Sequence, residues 1–249
     1  MRKDVLGWRR LFGVLGPSTN TVVQPDFDDM RVPGVTNHYS RIYTPNVEGV
    51  TNDTFISATQ VIADNTIDAI RSVMTCSPHY LVMGMSAVTF YGGRAGAQAF
   101  HDKIVGEAKI GASIGSHACA AALRAYGGIE RIAFLSPYYP AANEQVRRYF
   151  EEEGFTVVKD LALRTYSFTT ISEFTEDQLI DALHSLNGPD VQAIVQVGTN
   201  LSMVRLAAEA ERWLRKPVIA INTATYWHAL RANGIRDQLV GFGRLMSDF

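Results

Sequence analysis

The stretch HYLVMGMSAVTFYGG, residues 79–93, decides the fold. Its residues 80–83 (YLVM) form a short apolar run that reads as a buried strand. The chain then turns through Gly84, Met85 and Ser86, and a helical pattern starts beyond Gly92 and Gly93. An apolar run of strand length, stopped by a glycine turn and handed to a helix, is one βα unit. The turn itself carries no acid, thiol or imidazole.

The same alternation continues along the chain. Further strands are predicted at 11–15 (LFGVL), 132–135 (IAFL), 156–158, 193–197 (AIVQV) and 218–221 (VIAI). Helices are predicted at 54–72, 93–106, 117–126, 141–153, 176–186, 203–214 and 225–233. Strands alternating with helices of this length predict an α/β fold with parallel sheets. AYGG and EEEGF close two of the helices with glycine. Two pairs of segments match in kind across about 120 residues: LFGVLGPSTNT with IAFLSPYYPAANE, and YLVMGMSAVTF with AIVQVGTNLSM. Such a long period fits two similar Rossmann-like lobes facing each other rather than a solenoid. The expected division is residues 1–120 plus 222–249 for the N-terminal lobe and 121–221 for the C-terminal lobe. Ligands in open parallel sheets bind outside the carboxyl ends of strands, so the four turns are expected to converge on one crevice.

Composition narrows the function. The 249 residues are 47% hydrophobic, with a formal net charge of −2, which is ordinary for a globular chain with a large core and gives no basic footprint for nucleic acid. No apolar run is long enough to cross a membrane. The basic, then apolar start MRKDVLGWRRLFGVLG is interrupted by Trp8, Arg9 and Arg10, so no signal peptide is expected and the expected compartment is the cytoplasm. Cys76 and Cys119 are too few for a disulfide framework. Neither a GxGxxG after a strand nor a GxxxxGK[ST] occurs, and no HxxxH or CxxC spacing, so neither nucleotide, cofactor nor metal binding is expected.

Each turn offers polar groups with a functional and a purely local use. Ser18, Thr19 and Asn20 can hold a carboxylate or cap a helix. Gly84 permits close backbone approach and Ser86 can donate a hydrogen bond, with Met85 beside them. Tyr138 or Tyr139, in SPYYPAANE, can stabilise a developing oxyanion. Gly198, Thr199 and Asn200 form another anion-friendly turn. Among the histidines, His117 stands at a helix start, where a neutral imidazole is favoured, and is expected to face the same crevice. Cys76 and Cys119 lie at no strand tip and read as inert thiols.

Together these turns resemble the aspartate/glutamate racemase superfamily, in its maleate isomerase and arylmalonate decarboxylase branch. GVLGPSTNTVVQPDF resembles the isomerases' Pro-Ser-Ser-Asn-Thr start, and VMGMSAVTFYGG the decarboxylases' Met-Gly-Thr-Ser-x-x-Phe-Tyr segment. SPYYPAANEQV and KPVIAINTATYWHALR are similar to two further family runs. The resemblance implies two pseudo-symmetric lobes with the site between them, and cofactor-free carbanion chemistry on a small carboxylate. It also implies a cysteine at one or both of two opposed tips. Here those positions match Gly84, as in the decarboxylases, and Gly198, so both thiols are missing.

The expected function is a cofactor-independent lyase, a decarboxylase holding an enolate-type intermediate. Ser86 and Tyr138 would hold the oxyanion and His117 would carry the proton. Ser18, Asn20, Gly84, Met85, Gly198, Thr199 and Asn200 would bind substrate. The alternatives are a maleate-type cis-trans isomerase or hydrolase in the same pocket, and a carboxylate-binding protein without turnover. Self-association is left open.

Overall fold

The computed structural model describes residues 4–249. Two four-stranded parallel sheets form its frame. The first has the order β2-β1-β3-β4, built from β1 (Arg10–Pro17), β2 (Val35–Ile42), β3 (Tyr80–Met83) and β4 (Ala112–Ser113). The second repeats it as β6-β5-β7-β8, from β5 (Arg131–Ser136), β6 (Thr156–Ala162), β7 (Ala193–Gln196) and β8 (Val218–Ala220). The order is the same with every strand number raised by four, which is the physical content of the duplication seen in sequence.

The connecting helices are α1 (Val23–Asp29), α2 (Asn52–Met74), α3 (Gly93–Ala108), α4 (Gly115–Tyr126), α5 (Pro140–Glu152), α6 (Glu176–Leu186), α7 (Val204–Leu214), α8 (Ile221–Ala232) and α9 (Arg244–Asp248). Reciprocal side-chain caps start two of them, Thr51 with Thr54 at α2 and Thr175 with Gln178 at α6. Central strands β5 and β7 are buried on both faces, which is why they read as unbroken apolar runs.

The differences from the sequence reading have local causes. Strand β2 (VTNHYSRI) lies at a sheet edge, is only partly buried, and so carries no apolar run. Helix α1 is seven residues long with Pro25 inside it, below the length at which period is legible. Strand β8 passes into α8 without a loop, so α8 starts at Ile221 rather than 225 and Asn222 falls in its first turn. Helix α8 packs on α4, α1, β3 and β4. Among the described residues no helix is long and apolar enough to cross a membrane.

Candidate active site

The carboxyl ends of β1, β3, β5 and β7, the inner strands of the two sheets, converge on one small cavity of about 50 Å³. Asn20, Met85, Ser86, Tyr138, Gly198, Thr199 and Asn200 all line it. Three expected residues do not. Ser18 is exposed and is tied to the next loop, accepting from Thr44 N at 2.9 Å and donating to Thr44 O at 3.3 Å. Gly84 lies behind the cavity, its amide bonded to Leu15 O at 2.6 Å; a Cβ there would stand 2.8 Å from Val23, so glycine lets the tip pack against α1. The third is His117.

The expectation that His117 faces the crevice is not met. It lines a separate surface groove between α3, α4 and α5, with Arg94, Arg124 and Glu153, and its ring centroid is 5.3 Å from that of His101. The reason is helical geometry: neighbouring residues point about 100° apart. The start of α4 is tied to the tip only through backbone, the Ser116 amide donating to Thr89 Oγ1 at 3.3 Å and Thr89 donating to Ser86 O at 2.7 Å. The His117 side chain points instead to the outer groove, beside Tyr149. Burial, then the neighbouring His101, lower its pKa to about 4, so the imidazole is neutral at pH 7.

At the centre, Ser86 Oγ and Tyr138 OH are 2.5 Å apart. Burial pushes the phenol far up from its ordinary value, so it stays protonated. Either hydroxyl can donate in this pair, so the two groups share one hydrogen and hold a second. Ser86 Oγ also accepts from Thr199 N at 3.2 Å. A serine oxygen has two acceptor sites and one hydrogen. When Tyr138 donates, both sites are filled and Ser86 keeps its own hydrogen for a ligand; when Ser86 donates, Tyr138 keeps its own.

The two asparagines act first as clamps between the tips. Asn20 Oδ1 accepts from Val22 N and Val23 N at 3.0 and 2.9 Å, and Asn20 Nδ2 donates to Thr199 Oγ1 at 3.0 Å. Asn200 reciprocates: its Oδ1 accepts from Thr21 N and Val22 N at 2.9 and 3.2 Å, and its Nδ2 donates to Phe168 O at 3.0 Å. Each amide retains one N–H for a ligand. The capping role weighed for Asn20 and the ligand role therefore coexist.

No Asp, Glu, His, Cys, Lys or Arg is among the described residues lining the cavity. Gly198 has φ +113°, and a Cβ added there would stand 2.3 Å from Pro137 Cδ. This tip is therefore shaped for glycine, and a cysteine does not fit its present backbone. Cys119 is buried in α4, its thiol pushed far up by desolvation; Cys76 is exposed just beyond α2, its thiol also raised by desolvation.

One wall was not identified from sequence. Phe55, Thr59 and Ile62 reach the cavity from α2, and Ile171 from the turn after β6. Phe55 stacks against Tyr138 and Phe168 at 5.2 and 5.6 Å between centroids. Their i, i+4, i+7 spacing is visible in the sequence, but a pocket-facing stripe and a core-facing stripe have the same period.

Two facing α/β lobes with a cleft at opposed strand tips are the architecture that the sequence resemblance implies. Comparison with known proteins narrows it. The sequence model described as arylmalonate decarboxylase matches residues 47–246, and the chain belongs to that family. A maleate isomerase from Nocardia farcinica is 30% identical over 118 residues, a stretch that spans 47% of this chain and 47% of that enzyme, about half of each. In structure, the N. farcinica maleate cis-trans isomerase, as a mutant with a covalently bound succinylcysteine intermediate, superposes with a TM-score of 0.86 at 21% identity, over 96% of this chain and 99% of that one. Unliganded arylmalonate decarboxylase gives 0.76 at 21%, over 95% and 98%. At that identity the structural likeness concerns the fold.

Proposed function

We propose that the cleft decarboxylates a small carboxylic acid through an enolate-type intermediate held by neutral hydrogen-bond donors. The observation that carries this reading is the Ser86–Tyr138 pair: the two hydroxyls share one hydrogen bond, Ser86 also accepts from Thr199 N, and one hydroxyl hydrogen remains for a ligand in a cavity lined, among the described residues, by no acid, imidazole, thiol or amine. In such a step the bond between the α-carbon and one carboxylate breaks and CO₂ leaves. The electron pair moves onto the remaining carbonyl, and Ser86 and the tip amides stabilise the oxygen that becomes negative. A solvent proton then returns to the α-carbon. Fixed donors aimed at a developing oxyanion in a desolvated site supply such stabilisation without a cofactor. The apolar wall of Phe55, Ile62 and Phe168 suits a substrate with a hydrophobic substituent. Isomerisation through an adduct like the succinylcysteine named for the N. farcinica enzyme has less support, because no thiol lines this cavity.

The test is incubation of the purified protein in D₂O with substituted malonates, maleate and related unsaturated acids, followed by NMR. CO₂ loss with one deuterium gained at the α-carbon is the expected result. A change of double-bond geometry would establish the isomerase instead. Saturable binding without turnover across the panel would establish a carboxylate-binding protein.

A further inference from the structure

We propose that Asn222, outside the cavity, is a positioning residue that sets the Thr199–Asn200 peptide so that the Asn200 amide N–H faces the bound carboxylate; this rests on the reading of the cleft as an anion-holding site. Asn222 Nδ2 gives one hydrogen to Thr199 O at 3.0 Å and the other to Asp26 Oδ2 at 2.7 Å. Asp26 thus anchors the amide from α1, and the amide anchors the tip.

The peptide unit does the rest. No cis peptide occurs among the described residues. In a planar trans unit the C=O and the following N–H point in opposite directions. Asn222 does not line the cavity, whereas Thr199 and Asn200 do. Drawing the Thr199 carbonyl back to Asn222 therefore turns the Asn200 N–H forward, and that N–H has no acceptor among the described residues. Thr199 is fixed on its other sides too, by its amide on Ser86 and its hydroxyl under Asn20.

The arrangement carries two unfavourable features that a purely structural contact would have no reason to keep. Among the described residues Asn222 Oδ1 is buried without a partner, and an unmet buried acceptor destabilises. Asp26 is held in partial burial, which, more than the nearby Asp29, raises its pKa to about 6; Asn222 and Arg205 oppose the rise. Tyr39 also lies close enough to interact with Asp26, and its own phenol is raised chiefly by desolvation. Local rules broken together beside a functional tip are expected at functional sites.

The test uses ¹⁵N-labelled full-length protein, with phenylacetate as a non-reacting monocarboxylate probe, alongside turnover on whichever acid the panel identifies. In the wild type, phenylacetate shifts the Asn200 amide resonance at saturation, and the free-protein resonance moves with a midpoint near pH 6 as Asp26 ionises. Asn222→Ala is expected to lose the phenylacetate-induced shift and to lower kcat about 10-fold or more, with KM changed less than about 3-fold, the pattern of a weakened oxyanion donor. Asp26→Asn, which keeps the fold and an acceptor for Asn222, is expected to retain the phenylacetate shift and abolish the pH step. An unchanged Asn200 shift and kcat within about 2-fold in Asn222→Ala would overturn the proposal, as would a pH step surviving in Asp26→Asn. If no acid is turned over, the amide readouts still decide the positioning role, so its failure is distinguishable from failure of the decarboxylase reading.

Discussion

Ser86 Oγ and Tyr138 OH meet at 2.5 Å across the cleft, one from the tip of β3 and the other from the tip of β5. The two lobes thus build the donor jointly. Ser86→Ala is expected to lower kcat by about 10²- to 10³-fold, the usual loss for one oxyanion donor. Tyr138→Phe should lower it less, because Ser86 keeps its hydroxyl. The double variant should fall no further than Ser86→Ala alone, since Tyr138 acts through Ser86. Steady-state kinetics of the three variants check this. Losses that multiply would mean that Tyr138 touches substrate on its own.

His117→Ala should leave kcat and KM within about 2-fold of the wild type, because the imidazole lies in the outer groove with Arg94 and Arg124. The kcat profile should likewise show no step near pH 4, where this imidazole titrates. A large loss of turnover, in a variant whose thermal unfolding is unchanged, would return His117 to the chemistry.

The contrast between His117 and Ser86 shows what the sequence could convey. Both stand just after an apolar run and both were candidates by type. The tips of β1, β3, β5 and β7 were legible because buried parallel strands read as apolar runs that stop abruptly at small polar turns. Which side of a helix start faces the cleft was not legible, since one residue's difference is a turn of about 100°. Asn222 was hidden for a different reason. It lies between the predicted strand at 218–221 and the predicted helix at 225–233, and only the direct passage of β8 into α8 gives it a fixed direction toward Thr199 and Asp26. The edge strand β2 escaped because it is too exposed to carry an apolar pattern.

Two glycine substitutions should move stability in opposite directions. At Gly198, φ +113° and Pro137 at 2.3 Å both oppose a side chain. Gly198→Ala is expected to destabilise by about 2–4 kcal/mol in urea unfolding. Gly198→Cys should be destabilised similarly and gain no thiol-dependent isomerase activity. Gly106 lies within α3 with nothing within 4 Å of an added Cβ. There Gly106→Ala should stabilise by about 0.5–1 kcal/mol. A stable, active Gly198→Cys isomerase would show that the tip can rebuild around a thiol.

Asp26 gives the stability curve a definite slope. Its carboxyl titrates near 6 in the folded chain, against 3.8 for a free side chain, mainly because burial disfavours the charge. The folded state then binds the proton more tightly than the unfolded state between these values. Stability should therefore fall as pH rises from about 4 to 6 and stay lowered above it. The full shift corresponds to about 3 kcal/mol; partial exposure and the favourable place of an acid in the first turn of α1 reduce this to about 1–2 kcal/mol. Asp26→Asn should remove the penalty, raising Tm at pH 7.5 by about 2–6 °C and leaving it unchanged at pH 4. Calorimetry at the two pH values decides the matter. A variant less stable at pH 7.5 would mean that the ionised carboxylate, held by Asn222 and Arg205, contributes more than its burial costs.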